Sequence, residues 1–168
     1  MNRRLVLASL APLVVLAGCG SDGGDKATTT TKTATTAKTT PAPKTRTGKP
    51  RVAVPKGPPP NALKTEDLVV GQGKAVKSGD QLTVQYVGVL YKNGKQFDAS
   101  WDRGQPFSFK LGTSMVIDGW EKGLVGMKVG GRRELIIPPD SAYGPQGSPP
   151  DIGPNEPLVF VIDLLAVR

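Results

Sequence analysis

Asp98 and Asp102 are the closest approach this chain makes to a pair of catalytic carboxylates, and the groups that would work with them are missing. The 168-residue sequence has no histidine and a single cysteine, Cys19. That removes Ser-His-Asp triads, Cys-His dyads and nearly every zinc site together. Nothing else marks Asp98 and Asp102 as a glycosidase pair, and no Gly-rich loop follows a strand and opens a helix to cradle a phosphate. A reaction on this chain must need no side-chain nucleophile, no metal and no cofactor. What the sequence does hold is aromatic. Trp120, one of two tryptophans, lies in MVIDGWEKGLVGM (residues 115–127), just after Val116 and Ile117. It either fills a core or floors a binding site.

The elements that must position it are mostly strands. Turn signals recur at Gly71-Gln72-Gly73, Ser78-Gly79-Asp80, Asn93-Gly94, Gly130-Gly131 and Pro138-Pro139. Between them, Leu82, Val84, Tyr86, Gly88 and Leu90 alternate onto one face of a strand over 81–91. Asn93-Gly94 predicts a two-residue hairpin turn returning through 95–99. Further strands are expected at 107–111, 132–137 and 158–167, with a shorter one at 68–70. One helix is expected, with Asp118 as its cap and Glu121 as the reciprocal member of a capping box. Trp120, Leu124 and Met127 fall on one face of it. Gly119, Gly123 and Gly126 each weaken it by about 1 kcal/mol relative to Ala, so it persists only under a packed sheet. One short helix against an antiparallel sheet is an α+β domain.

That domain is expected over 61–168, and the chain ahead of it differs in kind. Arg3 and Arg4 precede a mostly apolar run at 5–17, too short to span a bilayer, for which about 20 residues are needed. The run ends in Leu16-Ala17-Gly18-Cys19, which resembles the bacterial lipobox. Residues 1–18 thus read as a signal peptide, with Cys19 as the lipidated first residue of an extracytoplasmic, membrane-anchored protein. From 20 to 60 there are eleven Thr and no aromatic residue. That composition predicts a disordered tether over 19–60. The net charge of +8 lies entirely in the signal and tether, because 61–168 holds twelve basic and twelve acidic residues. A neutral domain on a basic tether argues against nucleic acid as a partner.

Within the domain, a series of segments resembles the FKBP-type peptidyl-prolyl isomerases. They include Val84-Gln85-Tyr86-Val87-Gly88, Gly94-Lys95-Gln96-Phe97-Asp98-Ala99-Ser100 and Pro106-Phe107-Ser108-Phe109. Leu111-Gly112, Val116-Ile117-Asp118-Gly119-Trp120-Glu121-Lys122-Gly123 and Met127-Lys128-Val129-Gly130 follow. Pro139-Asp140-Ser141-Ala142-Tyr143-Gly144 and Leu158-Val159-Phe160 complete the series. The resemblance implies an antiparallel sheet wrapped around one short helix, with a pocket between them. Trp120 would be the pocket floor, with Tyr86, Phe97, Phe107 and Phe160 as aromatic walls and Val116 and Ile117 at the side. The Ile117 N–H would meet a ligand carbonyl. Tyr143 would supply a hydroxyl and Asp98 a carboxylate, with Arg103 as its basic partner. Catalysis would rest on Tyr86, Asp98 and Tyr143, and substrate binding on the remainder.

The substrates implied are proline-containing exported polypeptides, and macrolides of the FKBP ligand class are implied ligands. A non-catalytic chaperone or apolar peptide-binding module on the same fold is the alternative. Ser148, Asp151 and Gly153 depart from the larger or apolar flap residues that relatives often carry, which bears on substrate preference. Without a dimerising helical segment before the domain, a monomer is expected. The place of Trp101, rimming the pocket or covering a strand, stays open.

Overall fold

The structure, a computed structural model, describes residues 48–168. The signal peptide, Cys19 and most of the tether lie outside the described residues. Six strands and one α-helix follow in order: β1 (Lys64–Val69), β2 (Gln81–Leu90), β3 (Gln96–Ala99), β4 (Phe107–Lys110), α1 (Asp118–Gly123), β5 (Arg132–Ile137) and β6 (Leu158–Val167). The sheet is antiparallel in the order β1-β5-β6-β2-β3. The free side of β2 is shared, with β4 along Gln81–Val84 and β3 along Val87–Val89. The antiparallel sheet with one short helix expected from sequence is therefore present. β1 is longer than expected and largely exposed, and the Arg133 guanidinium ties it to β5 by gripping Asp67 at 2.6 and 2.9 Å.

The alternation along β2 separates two apolar layers. Leu82, Val84, Tyr86 and Leu90 face inward, against Trp120, Leu124 and Met127. Val87 and Val89 face outward, where Tyr91, Ala99, Ile136 and Val159 form a second cluster. A sheet apolar on both faces needs a cover on each. The outer cover comes from residues 48–60, which sequence composition assigned to the disordered tether. Pro50 is buried, Val52 and Val54 pack on the outer cluster, and the Tyr91 hydroxyl donates to the Pro58 carbonyl at 3.3 Å. Pro50, Val52 and Val54 alternate with exposed Arg51 and Ala53. This short strand-like pattern is diluted when composition is averaged over the whole tether.

Two local expectations also change. The β2–β3 connection runs over residues 91–95 instead of two residues, closed by the Leu90 N–H donating to the Lys95 carbonyl at 2.9 Å. The cap of α1 is Ile117, with Asp118 inside the first turn, and no side chain caps it. Glu121 turns the other way and accepts the N–H groups of Gly112 and Ser114, pinning the preceding loop to the helix. Leu124 and Met127 lie past the end of α1, yet both are buried.

The glycines of α1 are explained by contact. A Cβ on Gly119 would lie 2.5 Å from Ile137 Cγ2, and one on Gly123 would lie 2.8 Å from Leu135 Cδ2. The helix backbone therefore rests directly on β5 side chains. Propensity alone says that Gly119→Ala should stabilise the helix by up to about 1 kcal/mol. Overpacking a filled contact costs about 1–3 kcal/mol, and Ile137 is fully buried with little room to yield. Gly119→Ala should therefore lower the urea midpoint, through a net loss of about 1 kcal/mol of unfolding free energy, while Lys122→Ala on the exposed side changes it little. A raised midpoint for Gly119→Ala would show that propensity, not contact, governs the position.

Candidate active site

A cleft of about 390 Å³ opens between α1 and the inner face of the sheet. Each strand that frames it contributes one ring: Tyr86 from β2, Phe97 from β3, Phe107 from β4 and Phe160 from β6. Trp120 of α1 lies beneath them and is only 4% exposed. Its ring centroid is 5.1 Å from Tyr86 and 5.3 Å from Phe160, both edge-on, an arrangement aromatic quadrupoles favour. The indole Nε1 is buried, with no hydrogen-bond partner among the described residues. Val116 and Ile117 form the side wall on the approach to α1, and Tyr143 closes the far rim. The Ile117 carbonyl receives the N–H groups of Trp120 and Glu121, whereas among the described residues its own N–H has no partner.

Gly88 makes the wall possible. A Cβ there would lie 2.6 Å from the Phe97 ring and 2.7 Å from the Phe160 ring. The strand partner of Gly88 is Asp98, and Val89 then pairs with Gln96, so Phe97 is an extra residue in β3. Such a bulge breaks strict alternation. It allows two consecutive residues, Phe97 and Asp98, to line the same cleft.

One edge of the cleft is polar and closed on itself. Asp98 accepts from the Tyr86 hydroxyl and from Arg103 Nη1, while Arg103 Nη2 donates to the Tyr86 hydroxyl at 2.8 Å. The guanidinium carbon also sits 5.6 Å from the Tyr86 ring centroid, within cation–π range. Burial, reinforced by the hydrogen bond to Asp98, pushes the Tyr86 phenol up to about 12. Tyr143 is also raised, by burial and then by the Asp98 charge. The hydrogen bonds to Tyr86 and Asp98 raise Arg103 further. Buried Ser100 secures Tyr86 from behind, accepting its backbone N–H at 2.8 Å.

Of the residues named from sequence, Tyr86, Phe97, Asp98, Phe107, Val116, Ile117, Trp120, Tyr143 and Phe160 all line this cleft. Arg103 stands behind it, bound to Asp98 and Tyr86. Cys19 lies outside the described residues. Trp101 is not at the cleft; like Val52 and Val54 it packs against the outer cluster. Ser114 and Met115 were missed. Met115, 64% exposed at the rim, begins the apolar run Met115-Val116-Ile117, and that run was the available signal. The flap residues Ser148 and Asp151 border a smaller adjoining recess of about 190 Å³, reached past Phe97, Asp98 and Tyr143. Between Asp151 and Gly153, Ile152 turns inward to the core, so the flap keeps an apolar anchor.

Comparison with known proteins gives the same reading. Residues 72–165 match the family model described as FKBP-type peptidyl-prolyl cis-trans isomerase. An FK506-binding protein of Streptomyces anulatus is 51% identical over 120 residues, covering 71% of this chain and 97% of the relative. That stretch is longer than the 108 residues from 61 to 168, so it includes part of the segment before Asn61. A probable FK506-binding protein of Corynebacterium glutamicum is 48% identical, over 70% of this chain and 98% of the relative. Among solved structures, AtFKBP13 aligns with a TM-score of 0.60 at 38% identity, covering 66% of this chain and 96% of that one. FkpA from Escherichia coli aligns with a TM-score of 0.58 at 45% identity, over 63% of this chain and 48% of that one. The family model covers most of the folded domain, and two relatives match over nearly their whole length; the chain therefore belongs to the FKBP-type peptidyl-prolyl cis-trans isomerases.

Proposed function

We propose that the cleft over Trp120 takes up Xaa-Pro segments of exported polypeptides and speeds their isomerisation outside the cytoplasm, from a membrane anchor at Cys19. The observation that carries the cleft assignment is its aromatic enclosure beside the Ile117 N–H, a backbone donor without a partner among the described residues. Rotation about a peptide bond is opposed by about 18–20 kcal/mol because resonance gives the C–N bond double-bond character. For Xaa-Pro the two isomers lie within about 1 kcal/mol of each other, so the reaction is slow yet nearly balanced. Twisting the amide removes the resonance and with it part of the charge separation. An apolar enclosure therefore binds the twisted amide better than the planar one, which is differential binding of the transition state.

In this reading the proline ring rests on Trp120, and the preceding carbonyl accepts from Ile117. The Tyr86–Asp98–Arg103 triangle stays closed and fixes the polar edge; no proton leaves it. The indole N–H of Trp120 supports the assignment. A buried donor without a partner costs about 1–3 kcal/mol, and a residue selected only for stability would not leave it so. The names of the Streptomyces and Corynebacterium relatives extend the proposal to FK506-like macrolides as ligands of the same cleft. The balanced charge of 61–168 argues against nucleic acid as a partner.

Cys19→Ala should leave the precursor uncut or release the protein from the membrane fraction. Retention on membranes with normal maturation would place the anchor elsewhere.

In the cleft, macrolide binding should change the Trp120 emission, and Trp120→Leu should weaken binding at least about tenfold by calorimetry while melting stays cooperative. Unchanged affinity in a folded Trp120→Leu protein would make Trp120 a core residue only.

The pH dependence separates this mechanism from acid–base catalysis. Tyr86, Tyr143 and Arg103 are all shifted upward, away from neutrality, and the chain has no histidine. A protease-coupled assay should give kcat/KM nearly flat from about pH 5.5 to 8.5. Asp98→Val and Tyr143→Phe should each lower it only modestly, because neither group transfers a proton. A bell centred near neutrality would sink the mechanism. No detectable turnover with peptide binding retained would favour a holding role instead.

A further inference from the structure

The segment ahead of Asn61 reaches the cleft indirectly, through one short turn. Val52, Val54 and Trp101 all pack against the outer cluster. Five residues upstream of Val54, Lys49 Nζ lies 2.6 Å from Asp102. Trp101 and Asp102 are the middle of the 3-10 turn Ser100–Arg103. The ends of that same turn hold Tyr86: Ser100 Oγ accepts its N–H at 2.8 Å and Arg103 donates to its hydroxyl at 2.8 Å while also binding Asp98. The strap therefore grips the outer side of the turn, and the turn grips the polar edge of the cleft.

The two ends of the turn are not equally secure. Ser100 is fully buried and held by Gln85. The Arg103 side chain is half exposed, and a long side chain keeps one rotamer only if the backbone bearing it is fixed. Gly104, in the left-handed conformation at φ 66°, ends the turn directly after Arg103 and adds no side-chain packing. The restraints nearest Arg103 come from outside. Asp102 is held by Lys49 and by the Gln96 amide at 2.7 Å, and Trp101 by the same outer cluster that the two valines pack against. Trp101 Nε1 is buried with no hydrogen-bond partner among the described residues, so packing is what sets that ring.

We infer that residues 49–54 are a positioning element of the isomerase site, acting through Trp101 and Asp102 on Arg103 and thus on the Tyr86–Asp98 pair. The inference rests on the cleft being the reacting site. It also moves the functional start of the domain from Asn61 to about Lys49.

The test is a double-mutant cycle in the full chain, read as kcat/KM well below the melting transition. Val52→Ser with Val54→Ser should loosen the strap and cut kcat/KM by about three- to tenfold, with the protein still folded. In an Arg103→Ala background the same pair should change it less than about twofold, because the route is already cut. Equal losses in both backgrounds, or no loss in the first, would overturn the inference. A purely stabilising strap would shift melting and leave the rate of the folded protein unchanged. Lys49→Ala guards against unfolding of the valine pair. Both members of its ion pair are partly exposed, so the loss should be about two- to fivefold, restored by Lys49→Arg and erased by about 1 M salt. A Lys49→Ala protein with unaltered kcat/KM would remove the ion pair from the route. Full activity in Arg103→Ala alone would overturn the strap inference, whereas unaltered activity in a folded Trp120→Leu protein would overturn the reading of the cleft itself.

Discussion

The site depends on how closely α1 lies against the sheet. Two helix glycines rest on Ile137 and Leu135 of β5 with no space for a methyl group between. This fixes the height of the helix, and with it the depth at which Trp120 meets the rings from β2, β4 and β6. A helix of six residues has little stability of its own. It is held by tertiary contact, and Glu121 reinforces it from outside by gathering the loop at Gly112 and Ser114. Bulk at either glycine would lift the floor away from the walls. The sequence features that look worst for a helix are those that make the cleft.

A second constraint sits beside the first. An apolar cleft is useful for twisting an amide only if its polar edge does not draw in water or charge. Here the one carboxylate at the wall has both oxygens engaged, by the Tyr86 hydroxyl and by Arg103. The arrangement needs Phe97 and Asp98 on the same side, which an unbroken strand forbids, and the bulge opposite Gly88 supplies it. Gly88 thus serves twice. It clears space for two rings and marks the place where the strand stops alternating.

Much of this was legible in the residues. Strand alternation gave β2 with its inward face, and four further strands fell close to their expected positions, because turn chemistry and period-2 patterning act locally. The ring positions came from resemblance to a family, since no periodicity says that Phe107 and Phe160 meet. What could not be read shares a physical cause. The cap of α1, the length of the β2–β3 loop and the orientation of Glu121 depend on groups distant in sequence that compete for the same hydrogen bonds. The strap failed for another reason. Composition averaged over the tether outweighed three alternating apolar positions whose value appears only against the outer face of a sheet.

That outer face changes how the domain should be understood. A single strand, β2, carries cleft residues on one side and strap contacts on the other, so its position is set by packing from both. The proposed catalysis by enclosure requires this kind of rigidity. A cleft that stabilises a twisted amide through preformed apolar walls gains nothing from walls that adjust to the planar amide equally well, because only preferential binding of the transition state lowers the barrier. The wall must therefore be stiff before the substrate arrives. Packing the back of β2 with residues outside the family-matched segment 72–165 is one way to stiffen it. On that account, the chain ahead of Asn61 is not all spacer: its last part belongs to the wall.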